Sequence, residues 1–528
     1  MRLNRIGDEE AHSTAPKSES CDTRTRRVCE WGIVLIIAAA YLTHLTPGHV
    51  FVSDDFAAYV MHAANLAEGR PYTAIHFVPN PKALWLAPSN GYPPVYPLLL
   101  TPAYRIWGLN LRTLKAVTVL CFVGFLGIFA ELIRPTFSPV LSFCTLLILG
   151  FNPVFWEQKD LLLSEFPYLM FSFGTLLAIQ TVYKNLSAGE FRTPMVLVVS
   201  VLIYLSYGTR TIGIALLLAL ALGDLLKFGK PSRFLIGVMV LTAVFIAAQT
   251  LYLASPKGYL SAAKLSPQMV ASNAVFYGKT LSYAWQNGVS KALQIGFALA
   301  FTALAAVSFI RGAWKNRSAQ HFYLLLYILV LIFWSAQIGM RGLLPIVPLY
   351  FVFGLEESGR IVNHLGGAIA RVCVIFALLF VALTYAGEMR RSSQAPLEPN
   401  VLDPSAQEMF RFLRVNTRPE EVLVFPKPRT LALYTNRSVT SLAPNEEPGD
   451  AYEFMKAVRA PILVKPNWSP PSWQALLDSH LGQPVRVFQN SEYQVFRMKV
   501  NGNFQSASGP PDNRRTNMAP KKTVAGGD

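Results

Sequence analysis

Apolar runs long enough to cross a lipid bilayer recur along most of this chain. The candidate runs lie at 31–45, 113–133, 137–155, 162–183, 193–208, 211–226, 233–254, 289–310, 321–339, 342–358 and 369–387. The short runs 193–208 and 211–226 could instead form a broken pair. Only 15% of the 528 residues are charged, whereas soluble proteins carry about 25%. We therefore expect an α-helical polytopic membrane protein with about eleven transmembrane helices.

The charge balance is basic, with 47 Lys and Arg against 31 Asp and Glu. Cytoplasmic loops of membrane proteins are rich in Lys and Arg, and an inside amino terminus puts eleven of these residues in inner loops but only Lys159, Arg210 and Arg341 in the short outer turns. The eleven inner residues are Arg134, Lys184, Arg192, Lys227, Lys230, Arg233, Arg311, Lys315, Arg317, Arg360 and Arg371. Three lysines in an outer loop at 255–288 weaken this bias. An odd number of spans then puts the carboxyl terminus outside, and no motif predicts a nucleic acid partner.

Composition divides the chain into four parts. Residues 1–30 are predicted to be a cytoplasmic tail, 31–387 the transmembrane body, 388–501 a small α/β domain outside the membrane, and 502–528 a disordered tail. Within the body, 49–112 form a large outer loop. The first apolar run could alternatively be a signal-peptide core. In the α/β part we predict strands at 422–425, 462–464, 485–488 and 493–498, and helices at 409–413, 452–458 and 473–477.

An acidic pair, Asp54-Asp55, follows the first span and lies at the predicted outer membrane surface. Adjacent carboxylates repel each other, which raises the pKa of one of them. Such a pair can bind a metal ion or act as a general base towards a hydroxyl or an amine. A structural alternative is that Ser53 or Asp54 caps the helix predicted at 56–68. The two roles can coexist.

A stiff aromatic element, Tyr92-Pro93-Pro94-Val95-Tyr96, lies later in the same loop. Its prolines favour an extended chain. The tyrosines would either pack the loop onto the membrane surface or wall a cavity beside a lipid carrier.

Three further charged residues fall on the same predicted face. Glu165 begins an apolar span, where an acid is costly unless it is paired or faces water; a favourable helix-dipole position is the alternative. Arg210 and Arg341 lie at span ends. A guanidinium can bind phosphate through two hydrogen bonds, although it can also snorkel to lipid headgroups. The convergence of three acids and two arginines on one face indicates a site.

The order of these elements resembles the C-class integral membrane glycosyltransferases, in particular the branch of protein O-mannosyltransferases and the bacterial lipid A aminoarabinose transferase. The resemblance covers about 31–387. The matching elements, in chain order, are Asp54-Asp55, Tyr59, Gly69, Tyr92-Pro93-Pro94-Val95-Tyr96-Pro97, Ser164-Glu165, Arg210, and Arg341-Gly342-Leu343-Leu344-Pro345-Ile346-Val347-Pro348.

The sequence departs from that family at three positions. The acidic pair is Asp-Asp rather than Asp-Glu, which should preserve the chemistry. Tyr92 stands where the aminoarabinose transferases carry a Lys, so that substrate is in doubt. Gly342 replaces a Tyr that follows the arginine in the family.

The resemblance implies inverting transfer of a sugar from a polyprenyl-phosphate donor to an acceptor outside the cytoplasm. It implies Asp54 as the general base, with Asp55 orienting it or sharing that role, and Glu165 supporting the acceptor or a metal. Arg210 and Arg341 would bind the donor phosphate, and Tyr59, Tyr92 and Tyr96 would contact substrate. The three acids could hold a divalent cation, although no fixed metal-ligand spacing is present. A bacterial inner membrane is the implied location.

Two other classes of function remain open from the sequence. A transporter or flippase for lipid-linked sugars would place charged residues within its spans, and Glu131 and Asp224 are candidates. A non-catalytic membrane assembly subunit would use the C-terminal part as a binding module. The identity of the sugar and of the acceptor does not follow from the sequence.

Overall fold

The computed structural model describes residues 18–51, 53–83, 92–184, 187, 193–253, 266–286, 290–315, 318–334, 336–364, 367–394 and 398–500. The predicted disordered tail at 502–528 and most of the predicted amino-terminal tail lie outside these ranges.

Helices make up most of the described residues that precede residue 398. They are α1 Ser18–Thr43, α2 Asp55–Glu68, α3 Val95–Trp107, α4 Leu111–Ile133, α5 Pro139–Gly150, α6 Pro153–Gln158, α7 Glu165–Tyr183, α8 Thr193–Thr209, α9 Ile214–Phe228, α10 Arg233–Leu253, α11 Pro267–Leu281, α12 Lys291–Lys315, α13 Ala319–Phe333, α14 Met340–Leu343, α15 Val347–His364 and α16 Gly367–Gln394. Short 3₁₀ turns at Thr211–Gly213 and Ser282–Trp285 precede α9 and follow α11.

Five helices of the described part are long and apolar enough to cross a membrane. They are Leu111–Ile133, Glu165–Tyr183, Thr211–Phe228, Arg233–Leu253 and Lys291–Trp314. α10 and α12 bury only 22% of their apolar windows, and the side chains of Val240, Val244 and Leu299 are exposed. An apolar surface of this kind suits contact with lipid. The chain is a multi-pass membrane protein, and the figure of eleven spans stays a prediction.

Several predicted spans are broken in the structure. The run 137–155 divides between α5 and α6, because Asn152 caps the backbone N–H of Val154 and Pro153 opens the second helix. The pair 193–208 and 211–226 is separated at Arg210. The run 342–358 is interrupted between α14 and α15. Two of these breaks lie at or beside an arginine of the predicted site, Arg210 and Arg341.

The C-terminal part folds as an α/β region, described from residue 398 to 500. Its strands are β1 Leu423–Val424, β2 Val439–Thr440, β3 Ile462–Pro466, β4 Val485–Gln489 and β5 Tyr493–Arg497; its helices are α17 Pro404–Asn416, α18 Pro428–Thr435, α19 Pro448–Ala457 and α20 Pro471–Asp478. The sheet order is β2-β1-β3-β5-β4. β1 pairs in parallel with β2 and β3, and β5 pairs antiparallel with β3 and β4. β2 and α18 are not among the predicted elements.

The predicted outer loop and the α/β region share one hydrophobic core. Phe51 and Phe56 from the loop are buried in the same cluster as Met409, Phe425 and Tyr493 from the α/β region. Backbone bridges between Val50 and Asn400, and between Phe77 and Val439, join the two parts. We call the end of the helix bundle that carries the outer loop and the α/β region the loop face. It corresponds to the predicted outer face.

Candidate active site at the loop face

Glu165 forms the centre of an ion-pair cluster at the loop face. It is the first residue of α7, and its side chain is only 1% exposed. Its Oε1 accepts hydrogen bonds from Arg341 Nε at 2.8 Å, and it lies 2.7 Å from Arg210 Nη1. Both arginines thus turn towards a buried carboxylate, so the snorkelling interpretation is wrong for them.

Arg341 links Glu165 to the second acid of the pair. Its Nη1 donates to Asp55 Oδ2 at 3.1 Å. The other oxygen, Asp55 Oδ1, accepts from the hydroxyl of Tyr92 at 2.7 Å. A continuous chain therefore runs from Asp55 through Arg341 and Glu165 to Arg210, and it joins three helix ends with the outer loop.

The accessible end of this chain lies at Asp55 and Arg341, whose side chains are 27% and 31% exposed. Burial would raise the pKa of the Asp55 carboxyl, but the guanidinium groups of Arg341 and Arg429 outweigh it, so the pKa lies below its ordinary value. Asp55 is therefore ionised at neutral pH and within reach of a substrate.

Asp54 faces away from this opening. It stands at the N-cap position of α2, yet its side chain makes no hydrogen bond with that helix. Instead, Oδ2 accepts from the backbone N–H of Arg429 at 3.0 Å, and Oδ1 accepts from the backbone N–H and the hydroxyl of Thr430, both at 2.8 Å. Asp54 thus caps α18. Burial raises the pKa of its carboxyl, and Arg429 and Thr430 oppose this rise without cancelling it.

Arg429 is a buried charge at the site that sequence reasoning missed. Its side chain is 1% exposed, and its Nη1 lies 3.7 Å from Asp54 Oδ2 and 4.0 Å from Asp55 Oδ1. The guanidinium carbon lies 4.5 Å above the ring of Phe77 and 5.4 Å above that of Tyr92. Pro428 before it is a helix-start signal, but nothing in the sequence connects this helix to an acid pair near the other end of the chain.

The three predicted tyrosines differ in their relation to the site. Tyr92 donates its hydroxyl directly to Asp55. Tyr59 is buried and donates to Ser164 Oγ at 3.1 Å, next to Glu165. Tyr96 is buried, and its hydroxyl pairs with Thr118 Oγ1 at 2.7 Å. Tyr59 packs between the other two rings, with centroid distances of 4.9 and 4.8 Å.

His62 supports Tyr92 from behind. Its Nε2 accepts from the backbone N–H of Tyr92 at 3.3 Å, and its Nδ1 lies 2.7 Å from the carbonyl oxygen of Tyr72. Burial lowers the pKa of His62 to about 4, so the ring is neutral and keeps both hydrogen bonds at physiological pH.

In this arrangement the three carboxylates are engaged by cationic and backbone groups. Each of them lies against at least one guanidinium group, and Asp54 also accepts two backbone N–H bonds. Within the described ranges there is no group of three or more metal-ligating side chains. Glu165 Oε2 is buried and makes no hydrogen bond in the part of the chain that is described.

The arginines keep hydrogen-bond donors that the acids do not use. Arg341 donates from Nε and Nη1, and Arg210 contacts Glu165 through Nη1. Within the described residues, Arg341 Nη2 and Arg210 Nη2 make no hydrogen bond. Donors held in place by a buried carboxylate suit an incoming phosphate oxygen.

The fold of the chain is that of solved C-class (GT-C) glycosyltransferases, as the sequence resemblance predicted. The structure is similar to that of ArnT from Cupriavidus metallidurans bound to undecaprenyl phosphate, with a TM-score of 0.51 and 12% identity over 92% of this chain and 99% of that one. No protein-family model and no curated protein sequence matches this chain.

Two further solved structures share the fold. The oligosaccharyltransferase of Archaeoglobus fulgidus, in complex with zinc and sulfate, gives a TM-score of 0.53 at 11% identity, over 88% of this chain and 73% of that one. The arabinofuranosyltransferase AftD from mycobacteria gives 0.51 at 12% identity, over 89% of this chain and 42% of that one. At these identities the likeness defines the fold alone.

Proposed function

We propose that this protein moves a sugar, with inversion at the sugar carbon, from a polyprenyl-phosphate donor to an acceptor outside the cytoplasm. The observation that carries the proposal is the Asp55–Arg341–Glu165–Arg210 chain, which is open to solvent at one end and lies where the bundle meets the outer loop. The fold supports it, because ArnT was crystallised with undecaprenyl phosphate.

The donor phosphate would be held by the two arginines of this chain. The lipid phosphate is the leaving group, so negative charge grows on its oxygens as the sugar departs. Arg210 and Arg341 would neutralise that charge through their remaining N–H groups. Glu165 keeps both guanidinium groups in place before the donor arrives.

Asp55 would be the general base, because it is the accessible acid of the pair. In the reaction the acceptor oxygen or nitrogen bonds to C1 of the sugar. The bond from C1 to the phosphate oxygen breaks, and its electrons stay on the phosphate. The acceptor proton passes to a carboxylate oxygen of Asp55, each of which has a second lone pair beside its present hydrogen bond. Asp54 has its oxygens occupied by α18.

A low pKa does not prevent Asp55 from acting as the base. In a transition state with oxocarbenium character, the acceptor bonds to C1 late and loses its proton late. The acceptor is strongly acidic by then, so a weak base suffices.

The transporter alternative has less support. Asp224 accepts from the backbone N–H of Ser232 at 2.8 Å and from the hydroxyls of Ser232 and Tyr183, all near helix ends. Glu131 pairs with Arg134 and lies 3.6 Å from Arg27. Both acids are thus engaged by neighbouring protein groups, and neither belongs to the cluster at the loop face. We further propose a bacterial inner membrane location, with the amino terminus cytoplasmic and the carboxyl terminus outside.

The proposal is tested by sugar transfer in purified membranes from labelled polyprenyl-phosphate sugars. We expect wild type to release sugar to an acceptor, and Asp55→Asn to lose about a hundredfold or more at matched expression, as for a missing general base. Glu157→Gln, at an exposed acid on α6, is the matched control and should keep wild-type activity. An Asp55→Asn variant as active as wild type would overturn the assignment of the base.

A further inference from the structure

Hydrogen bonds join the outer loop to α18 at the Asp54-Asp55 pair. Asp54 and Arg429 are separated by 375 positions in the sequence, yet Asp54 accepts three hydrogen bonds from the first turn of α18. These amides belong to the second and third residues of that helix, where N–H groups have no partner within the helix. The aspartate therefore acts as the N-cap of a helix from another part of the chain.

The side chain of Arg429 occupies the space between the two acids and the aromatic wall. It contacts the carboxylates of Asp54 and Asp55 on one side and the rings of Phe77 and Tyr92 on the other. A buried guanidinium is costly unless such groups surround it. Tyr92 in turn donates its hydroxyl to Asp55. Arg429 therefore packs against both Asp55 and Tyr92, the residue that orients the Asp55 carboxylate.

The surroundings make this arrangement rigid. The outer loop and the α/β region bury a common core, and a bridge between Phe77 and Val439 pins the loop beside α18. A side chain that is held by a rigid frame can fix the geometry of its neighbours.

We propose that the α/β region completes the active site through α18. The first turn of α18 binds Asp54 through three hydrogen bonds, a contact that we call the latch, and Arg429 is a positioning residue that keeps Asp55 oriented towards the acceptor. The positioning role of Arg429 rests on the proposed function, whereas the contact between Asp54 and α18 does not. Arg429 is too deeply buried to reach the donor phosphate, so it acts on catalysis through Asp55.

Kinetics of three variants test the positioning role. Replacing Arg429 by Gln removes its charge, and we expect kcat to fall about tenfold or more while KM for the lipid donor stays within about threefold. Arg429→Lys keeps the charge and should recover most of that loss. Arg497→Gln is the control, because it breaks a 2.7 Å ion pair with Glu421 elsewhere in the same region and should leave kcat unchanged.

The pH profile separates positioning from a purely structural role. The charged or titratable groups that face Asp55 are Arg341 from α14, Arg429 and Lys427 from the start of α18, and Tyr92 from the loop. Of these cations, Arg341 also pairs with Glu165. Loss of the Arg429 charge should therefore move the acidic limb of kcat/KM up by about one pH unit, and Arg429→Lys should move it back.

Thermal unfolding of the detergent-purified protein tests the latch without any assay of activity. Thr430→Val removes one hydrogen bond to Asp54 and keeps the side-chain shape, and Asp54→Asn weakens all three. If the latch is real, the double variant should melt close to the poorer single variant, because both changes break the same contact. Melting losses that simply add would overturn it.

The outcomes distinguish the two proposals. If wild type transfers no sugar while the latch variants show coupling, the proposed function fails and the latch stands. If wild type transfers sugar but Arg429→Gln leaves kcat and the acidic limb unchanged, or raises only the donor KM, the positioning role is overturned and the proposed function stands.

Discussion

At the residue scale, two adjacent aspartates have opposite surroundings. Asp55 faces two guanidinium groups and the opening of the site, while Asp54 is buried against backbone N–H groups. The pKa of Asp55 is consequently lowered and that of Asp54 raised. Neighbouring acids whose pKa values are pushed apart commonly divide the roles in a reaction. Here accessibility gives the base role to Asp55.

This difference predicts the pH dependence of transfer. The pKa of Asp55 lies below its ordinary value of 3.8, so kcat/KM should stay level as pH falls from neutral and decline only below about 4. The ionised form of Asp55 likewise stabilises the fold above its unfolded-state pKa, and this contribution is lost as pH falls through the folded-state pKa. The acidic limb of kcat/KM is measured from initial rates across pH, and activity is rechecked after return to neutral pH. A limb centred above pH 5 that Asp54→Asn abolishes would assign the base to Asp54.

The sequence could predict much of the site at this scale. Asp54, Asp55, Glu165, Arg210 and Arg341 were all expected on one face. The structure joins the last four in one chain of ion pairs, and it holds Asp54 beside them against α18. The expectation follows from the cost of leaving charges in apolar segments. The division of roles within the acid pair was not predictable, because it depends on Arg429 and Thr430, whose distance from Asp54 no local pattern encodes.

At the element scale, the break between α8 and α9 places Arg210. The chain leaves α8 at Thr209, passes through Arg210 in an extended conformation, and enters a 3₁₀ turn. The turn is tight: a Cβ on Gly213 would lie 2.5 Å from the backbone nitrogen of Tyr207 and 2.6 Å from the carbonyl carbon of Ser206. Only glycine fits there without a backbone shift.

Gly213→Ala should therefore displace Arg210 and weaken donor binding. We expect a loss of about 1–3 kcal/mol in the free energy of unfolding, as for overpacking, together with a raised KM for the polyprenyl-phosphate donor. Gly223→Ala on α9 is the control, because the nearest side-chain atom lies 4.0 Å from its Cβ position. Donor titration and thermal unfolding measure both effects. If the two alanine variants behave alike, the turn does not position Arg210.

Element prediction failed mainly where elements are short. α18 spans only Pro428–Thr435 and contains two threonines, which give little helical signal. β2 has two residues. These elements form because tertiary contacts support them: Asp54 caps α18, and β2 lies between β1 and the loop. Longer elements such as α2 follow from periodicity, and Gly69, in the left-handed conformation, ends that helix as expected.

At the scale of the whole molecule, the outer loop and the α/β region behave as one body above the helix bundle. Phe51 lies at their junction. Its ring centroid is 6.4 Å from that of Phe410, 6.0 Å from those of Phe425 and Trp468, and 6.5 Å from that of Tyr493. The predicted division of the chain into a transmembrane body and a separate α/β domain therefore understates the contact between the outer loop and the α/β region.

Phe51→Ala should destabilise the site as well as the α/β region. The cavity left by a buried aromatic ring costs about 3–5 kcal/mol, and we expect a large drop in transfer activity because α18 and α2 lose their common support. Val415→Ala, at an exposed position of α17, should change neither quantity. Thermal unfolding and transfer rates check this together. Unchanged transfer in a strongly destabilised Phe51→Ala protein would show that the site does not depend on the shared core.

The most direct test uses the purified protein in lipid vesicles with a polyprenyl-phosphate sugar that carries a label on the sugar. We predict that labelled acceptor and free polyprenyl phosphate appear in equal amounts, that the product has the inverted configuration at C1, and that Asp55→Asn suppresses both products. Intact lipid-linked sugar that crosses the bilayer without release of polyprenyl phosphate would contradict the transferase and support a transporter.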